Sequence, residues 1–114
     1  MTTQKTEARS NRRIDRRRRP KSWTRATCRK GTMDLGVDIS LGILDVSETG
    51  IRLLVGQKLN QDDEVTVTLD SPNIGRPLRI VSRVAWCVQT RNNIYCAGIQ
   101  FDKRLRYMDI TSMA

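Results

Sequence analysis

The run RIVSRVAWCVQT, Arg79–Thr90, is followed after Arg91, Asn92 and Asn93 by IYCAGIQF, Ile94–Phe101. Both runs are rich in β-branched and aromatic residues, and a short polar connection separates them, which predicts two antiparallel strands joined as a hairpin. Ile80, Val84, Trp86 and Val88 stand at even spacings. That alternation predicts one shared face, with Trp86 in the core. Upstream, EVTVTL (Glu64–Leu69) alternates most cleanly, with Val65, Val67 and Leu69 inward. Ile51–Val55 (IRLLV) is a third kind of short β run. Val37–Leu44 (VDISLGIL) is expected to put Val37, Ile39, Leu41 and Ile43 on one face, and Trp23–Arg29 (WTRATCR) ends at Gly31. Turn formers separate these segments at Gly56, at Asn60–Asp63 and across Ser71–Pro77. The pattern predicts an all-β fold of six antiparallel strands, closed into a barrel because closure removes exposed edges at this length. Lys103–Met113 mixes apolar and charged residues and is expected to form a short helix on the barrel or over its mouth.

The chain has 114 residues, 38% hydrophobic and 29% charged, with a formal net charge of +9. This is enough for one small domain. No apolar stretch approaches the roughly 18 residues of a membrane helix, and no apolar run follows the N-terminus, so a soluble cytoplasmic protein is expected. The sequence contains no histidine. That excludes Ser-His-Asp and Cys-His mechanisms and the His-containing zinc sites. Cys28, Cys87 and Cys96 are odd in number and widely spaced. They read as small hydrophobes of a reducing compartment, with neither a disulfide framework nor a zinc knuckle. Asp62, Asp63 and Glu64 are consecutive and read as a solvated loop, not a metal site. There is no G-x-x-x-x-G-K-[ST] loop. An enzyme, a metal and a cofactor are therefore not expected.

The charge is unevenly distributed. Residues 1–30 hold 12 Lys and Arg against Glu7 and Asp15, whereas residues 31–114 hold 9 against 10 acidic residues. Arg9, Arg12, Arg13, Arg16, Arg17, Arg18 and Arg19 crowd together before Pro20, with no Lys among them. Repulsion between like charges this dense predicts a flexible Arg-rich arm over residues 1–20, followed by the β domain over 21–114. Arginine, unlike lysine, offers bidentate contacts to phosphate and to the O6/N7 edge of guanine, and stacks on flat rings. An anionic, guanine-bearing ligand suits such an arm. Nucleic acid or an anionic surface, held by counterion release, is the alternative partner. Trp23, beside the arm, is open to either a core place or a place in a ligand platform.

Between the second and third strands lies LDVSETGI, Leu44–Ile51, which contains D-x-S-x-x-G as Asp45, Ser47 and Gly50. Alone, it reads as a hairpin connection in which Asp45 and Ser47 bond to local backbone and Gly50 supplies a positive φ. It occurs, however, with an R-x-x-x-R spacing upstream, at Arg13/Arg17, Arg12/Arg16 or Arg9/Arg13, and with Gly98 and Phe101 in a G-x-x-F pattern on the last strand.

These three features, in this order from about Arg12 to Phe101, resemble the PilZ domain family, bacterial receptors for the second messenger cyclic di-GMP. The resemblance implies a six-stranded PilZ-like β-barrel that binds cyclic di-GMP and carries no cofactor. It implies that Arg12, Arg13, Arg16 and Arg17 contact phosphates and Hoogsteen edges, and that Asp45 accepts from the guanine N1–H and N2–H₂ edge. Ser47 then supplies a short hydroxyl, and Gly50 leaves room where a Cβ would meet the ligand. In this reading the ligand orders the arm on the barrel, and the domain signals in trans to a downstream protein that the sequence does not name. A PilZ-like barrel working only through protein contacts is the remaining reading.

Overall fold

In the computed structural model the described residues are 17–21 and 23–113. Six strands form one antiparallel sheet: β1 (Arg25–Lys30), β2 (Ser40–Val46), β3 (Gly50–Val55), β4 (Glu64–Asp70), β5 (Leu78–Arg91) and β6 (Ile94–Phe101). Their order is β1-β4-β5-β6-β3-β2. The sheet curls into a half-barrel, and its two outermost strands, β1 and β2, come to face one another. They meet where the Ile39 N–H donates to the Cys28 carbonyl at 2.9 Å. Among the described residues no ladder joins them. A 3₁₀ turn at Pro72–Ile74 interrupts the β4–β5 loop, and a helix α1 (Tyr107–Met113) ends the described chain.

The alternation of β4 is as the sequence predicts: Val65, Val67 and Leu69 are buried. With Ile51, Leu53 and Val55 of β3 and Ala97, Ile99 and Phe101 of β6 they build the core inside the curl. Each such aliphatic side chain contributes about 1.5–3 kcal/mol on burial, against roughly 0–1 kcal/mol for a surface ion pair. The inward apolar residues, not the charged arm, therefore hold the fold together.

Two expectations about faces are corrected, both by β-bulges. In β2 the register shifts between Ser40 and Gly42 and again between Ile43 and Asp45. Ile39 is buried, but Val37 lies before the strand at 74% exposure and Leu41 is 58% exposed. The predicted single face of Val37, Ile39, Leu41 and Ile43 is thus broken. In β5 the register shifts between Val84 and Trp86. The extra residue reverses the faces beyond it. Ile80 and Val84 point inward, whereas Trp86 is 39% exposed and Val88 is exposed with it. Trp86 is not a core residue. Cys87 turns inward in its place and packs against the core. Trp23 is exposed as well, with the Lys21 ammonium 5.5 Å from its ring centroid.

Helix α1 is shorter than the segment in which it was expected. Ile110 and Met113 are its buried residues, and it packs beside the Pro72–Ile74 turn. Its last carbonyl, Met113, accepts from the Lys21 N–H at 2.6 Å and from Thr24 Oγ1 at 2.8 Å. The helix end is therefore tied to the segment that enters β1.

Candidate functional site

The site is built on the β2–β3 hairpin. Within Leu44–Ile51 the turn is closed by the Ser47 N–H donating to the Gly50 carbonyl at 2.8 Å. Ser47 Oγ donates to the same carbonyl at 3.3 Å and accepts from the Gly50 N–H at 3.2 Å. Ser47 is wholly buried. Its hydroxyl thus serves the turn in this conformation, as a short side chain that replaces missing backbone partners. A Cβ on Gly50 would stand 2.5 Å from the Ile99 carbonyl oxygen. The close approach that requires glycine here is to β6, not to open space. Nor does Gly50 supply a positive φ, which is found instead at Gly31, Gly36 and Gly75.

This turn sets the register Val46↔Ile51 and Asp45↔Arg52. Residues paired across antiparallel strands share a face. Arg52 Nε donates to Asp45 Oδ2 at 2.7 Å, and Arg52 Nη2 contacts the same oxygen. Arg17 Nη1 donates to Asp45 Oδ1 at 3.0 Å. The Asp45 side chain is 9% exposed, and those of Arg17 and Arg52 are 44% and 41% exposed. A buried carboxylate thus carries two guanidinium groups that keep much of their surface open. Burial alone would raise the Asp45 carboxyl, but hydrogen bonds from Arg52 and Arg17 and their charges outweigh it and hold it below the ordinary carboxylate value. The same pairing raises the Arg52 guanidinium.

The chain from Arg17 to Pro20 is held against this hairpin. Arg18 and Val46 exchange both backbone hydrogen bonds, each at 2.8 Å. The Arg18 guanidinium lies 5.4 Å from the centroid of the Tyr107 ring, a cation–π distance that links this segment to α1. Between Arg17–Pro20 on one side and Ile43–Asp45 with Arg52 on the other is an open pocket of about 530 Å³.

Of the residues singled out in the sequence, Arg17 and Asp45 are brought into direct contact. Ser47 and Gly50 shape the turn beneath them. Arg12, Arg13 and Arg16 lie outside the described residues. Two further residues belong with the site. Arg52 could have been found by counting: a hairpin that turns at Ser47–Gly50 puts it opposite Asp45. Trp86 could not, because the β5 bulge that turns it outward has no mark in the residue pattern. Arg52 pairs with Gly98 across β3 and β6, and Trp86 pairs with Gly98 across β6 and β5. The Trp86 indole occupies the space where a Gly98 Cβ would stand. Asp45, Arg52, Gly98 and Trp86 are therefore consecutive partners in one row across four strands. That row gives the outer face a carboxylate, a cation and an exposed ring.

The three cysteines are free thiols. Burial, and then the Asp38 charge, push the Cys28 thiol up to about 12. Among the described residues no group of three or more Cys, Asp or Glu side chains could hold a metal ion. No helix of the described residues is long and apolar enough to cross a membrane.

A curled sheet of six antiparallel strands, with a basic segment folded back onto an acidic residue of its β2–β3 hairpin, defines the class of the module, an all-β domain with a cationic segment at one rim. The family model of the PilZ domain matches residues 10–108, and the chain belongs to that family. PilZ domains are, as a family, receptor modules for cyclic di-GMP. No curated protein matches the sequence closely enough to serve as a named relative.

Proposed function

We propose that this chain is a cyclic di-GMP receptor that uses the Asp45–Arg52–Arg17 cluster as its docking point and signals in trans to a protein partner. The observation that carries the reading is the buried Asp45 carboxylate bonded by two half-exposed guanidiniums at the edge of an open pocket. A guanidinium has five N–H donors. Arg17 and Arg52 thus retain donors for the phosphates and for guanine O6 and N7 while Asp45 fixes their planes. Arg12, Arg13 and Arg16 of the arm add cations, and Asp45 Oδ1, which accepts from Arg17 alone, retains a lone pair for a guanine N–H. Trp86, in the same row as Arg52, offers a flat surface for a base. Ser47 and Gly50 act by holding the turn that sets Asp45 opposite Arg52. Neutralisation of the arm by a dianionic ligand removes the repulsion between its arginines and orders it on the barrel.

The test is a calorimetric titration with cyclic di-GMP, beside GTP, of the wild-type chain and of Asp45→Asn and Arg52→Ala. Saturable binding selective for the cyclic dinucleotide and lost in both variants is expected. The concentration of basic residues in 1–30 favours a second reading, capture of nucleic acid or another polyanion by the arm. That binding would fall steeply with salt, would accept any anion and would be indifferent to Asp45. Such a result would replace the receptor reading.

A further inference from the structure

Strand β5 runs well beyond the strand on one side of it. Its pairing with β4 ends at Arg83, opposite Glu64. One residue on, Val84 bonds to the turn that leads into β4: its N–H donates to the Asp63 carbonyl at 2.9 Å, and its carbonyl accepts from the Asp62 N–H at 2.7 Å. From Ala85 to Arg91 the strand continues with β6 on one edge. Among the described residues no main-chain bond to another strand or loop takes up its other edge. Every residue of this stretch is exposed except Cys87, which is half-buried.

A free strand edge is ordinarily blunted by lysine, by proline or by being very short. Ala85–Thr90 (AWCVQT) carries neither a charge nor a proline. The stretch is also complementary to itself. Two copies laid antiparallel about a twofold axis at Val88 set Val88 opposite Val88, Trp86 opposite Thr90 and Cys87 opposite Gln89. Pairs of aromatic and β-branched residues are the favourable ones across antiparallel strands. The same register brings Arg91 of one copy opposite Ala85 of the other, next to the Asp62 and Asp63 that bond to Val84. Glu64 lies opposite Arg83 within its own chain. Among the described residues Arg91, Asp62 and Asp63 belong to no ion pair. A cation at one end of the open edge and two carboxylates at the other are thus what an antiparallel copy would match.

We propose that the Ala85–Arg91 edge of β5 pairs with the same edge of a second copy of this chain, antiparallel about a twofold axis at Val88, with Arg91 of each copy against Asp62 and Asp63 of the other. Main-chain bonds supply affinity in such strand addition, and the side chains select the partner. A twofold contact uses the same patch on both copies, so it closes at a dimer and does not propagate. The two sheets become one, with their outer faces on the same side, so the two rows that end in Trp86 share a continuous surface. This inference stands without the dinucleotide reading, and its test uses no nucleotide.

Sedimentation of the full chain under reducing conditions, from about 1 μM to about 1 mM, should show a monomer–dimer equilibrium. Amide shifts of the isotope-labelled chain over the same series should fall at Ala85–Arg91 and at Asp62 and Asp63. Val88→Lys and Val88→Glu each set like charges face to face on the axis, at an exposed position, and each variant alone should dimerise about tenfold more weakly. An equimolar mixture of the two sets opposite charges there and should recover most of the lost association, which a folding defect in either variant would not allow. A chain that stays monomeric throughout, a dimer as strong in Val88→Lys as in wild type, a mixture no better than its components, or shifts concentrated elsewhere would each overturn the proposal.

Discussion

With Arg17 on one carboxylate oxygen and Arg52 on the other, Asp45 stays ionised further into acid than a free aspartate. Its folded-state value lies below the unfolded value of about 3.9. As pH falls, the unfolded chain takes up the proton first, so the ion pairs stabilise the fold fully above about pH 5 and lose their effect as pH falls through the folded-state value. Asp45→Asn should therefore have a lower urea midpoint than wild type at neutral pH, with the deficit shrinking on acidification to about pH 3. A deficit independent of pH would show that the charge of Asp45 is not what stabilises the hairpin. Gly50 makes a different kind of demand. Its neighbour is the Ile99 backbone, which cannot swing aside. Gly50→Ala should destabilise the fold by about 1–3 kcal/mol, read from the denaturation midpoint. Gly98→Ala meets instead the Trp86 indole, an exposed side chain that can rotate away. The expected outcome is a change in Trp fluorescence with a smaller loss of stability. A loss as large as that of Gly50→Ala would show that the indole is fixed.

Among the elements, α1 depends most on contacts from outside itself. A seven-residue helix is too short to be stable alone, and its C-terminal carbonyls find partners at the entry to β1. Lys21 Nζ donates to the Thr111 carbonyl at 3.3 Å, in addition to the Lys21 N–H and Thr24 Oγ1 bonds to Met113. Thr24→Val removes one of these and should cost about 1 kcal/mol. Hydrogen exchange checks where the loss falls: residues 107–113 should exchange faster in the variant, with β3 and β6 unchanged. The β2–β3 hairpin is tied from the same direction, because the Leu105 N–H donates to the Glu48 carbonyl at 2.7 Å and Arg104 Nε bonds the Glu48 carboxylate at 3.0 Å. The hairpin that carries Asp45 and the segment leading into α1 are thus mechanically joined.

At the scale of the whole molecule, the curl of the sheet encloses Cys28, which is fully buried between β1 and the core. Its thiol is held near 12, so it is protonated and shielded at ordinary pH. Labelling with a thiol reagent at about pH 8 should therefore proceed at Cys28 only through global unfolding, with a rate that rises with urea as the unfolded fraction does. Half-buried Cys87 should react first in the native state. Rapid native-state labelling of Cys28 would mean that the β1–β2 seam opens widely without unfolding.

Much of this was legible from residue pattern. The clean alternation of EVTVTL, the hairpin at Arg91–Asn93 and the D-x-S-x-x-G turn specified strands, an antiparallel sheet and the family, because side-chain period and turn chemistry act over a few residues. The arm's charge was equally plain, being composition alone. What pattern could not supply was register after a bulge. One extra residue at Ala85 turns Trp86 from the core to the outer face, and the β2 register shifts leave Leu41 exposed. Whether a glycine faces a neighbouring backbone, a side chain or open space depends on what stands beside it in three dimensions, as Gly50, Gly98 and Gly42 show in turn. Residue pattern alone specified the strand runs, the β5–β6 hairpin, the turn between β2 and β3 and a cationic N-terminal segment. That Arg52 and Trp86 share one row with Asp45, and that among the described residues no ladder joins β1 to β2, follows instead from how distant strands meet across the curl, which no local pattern encodes.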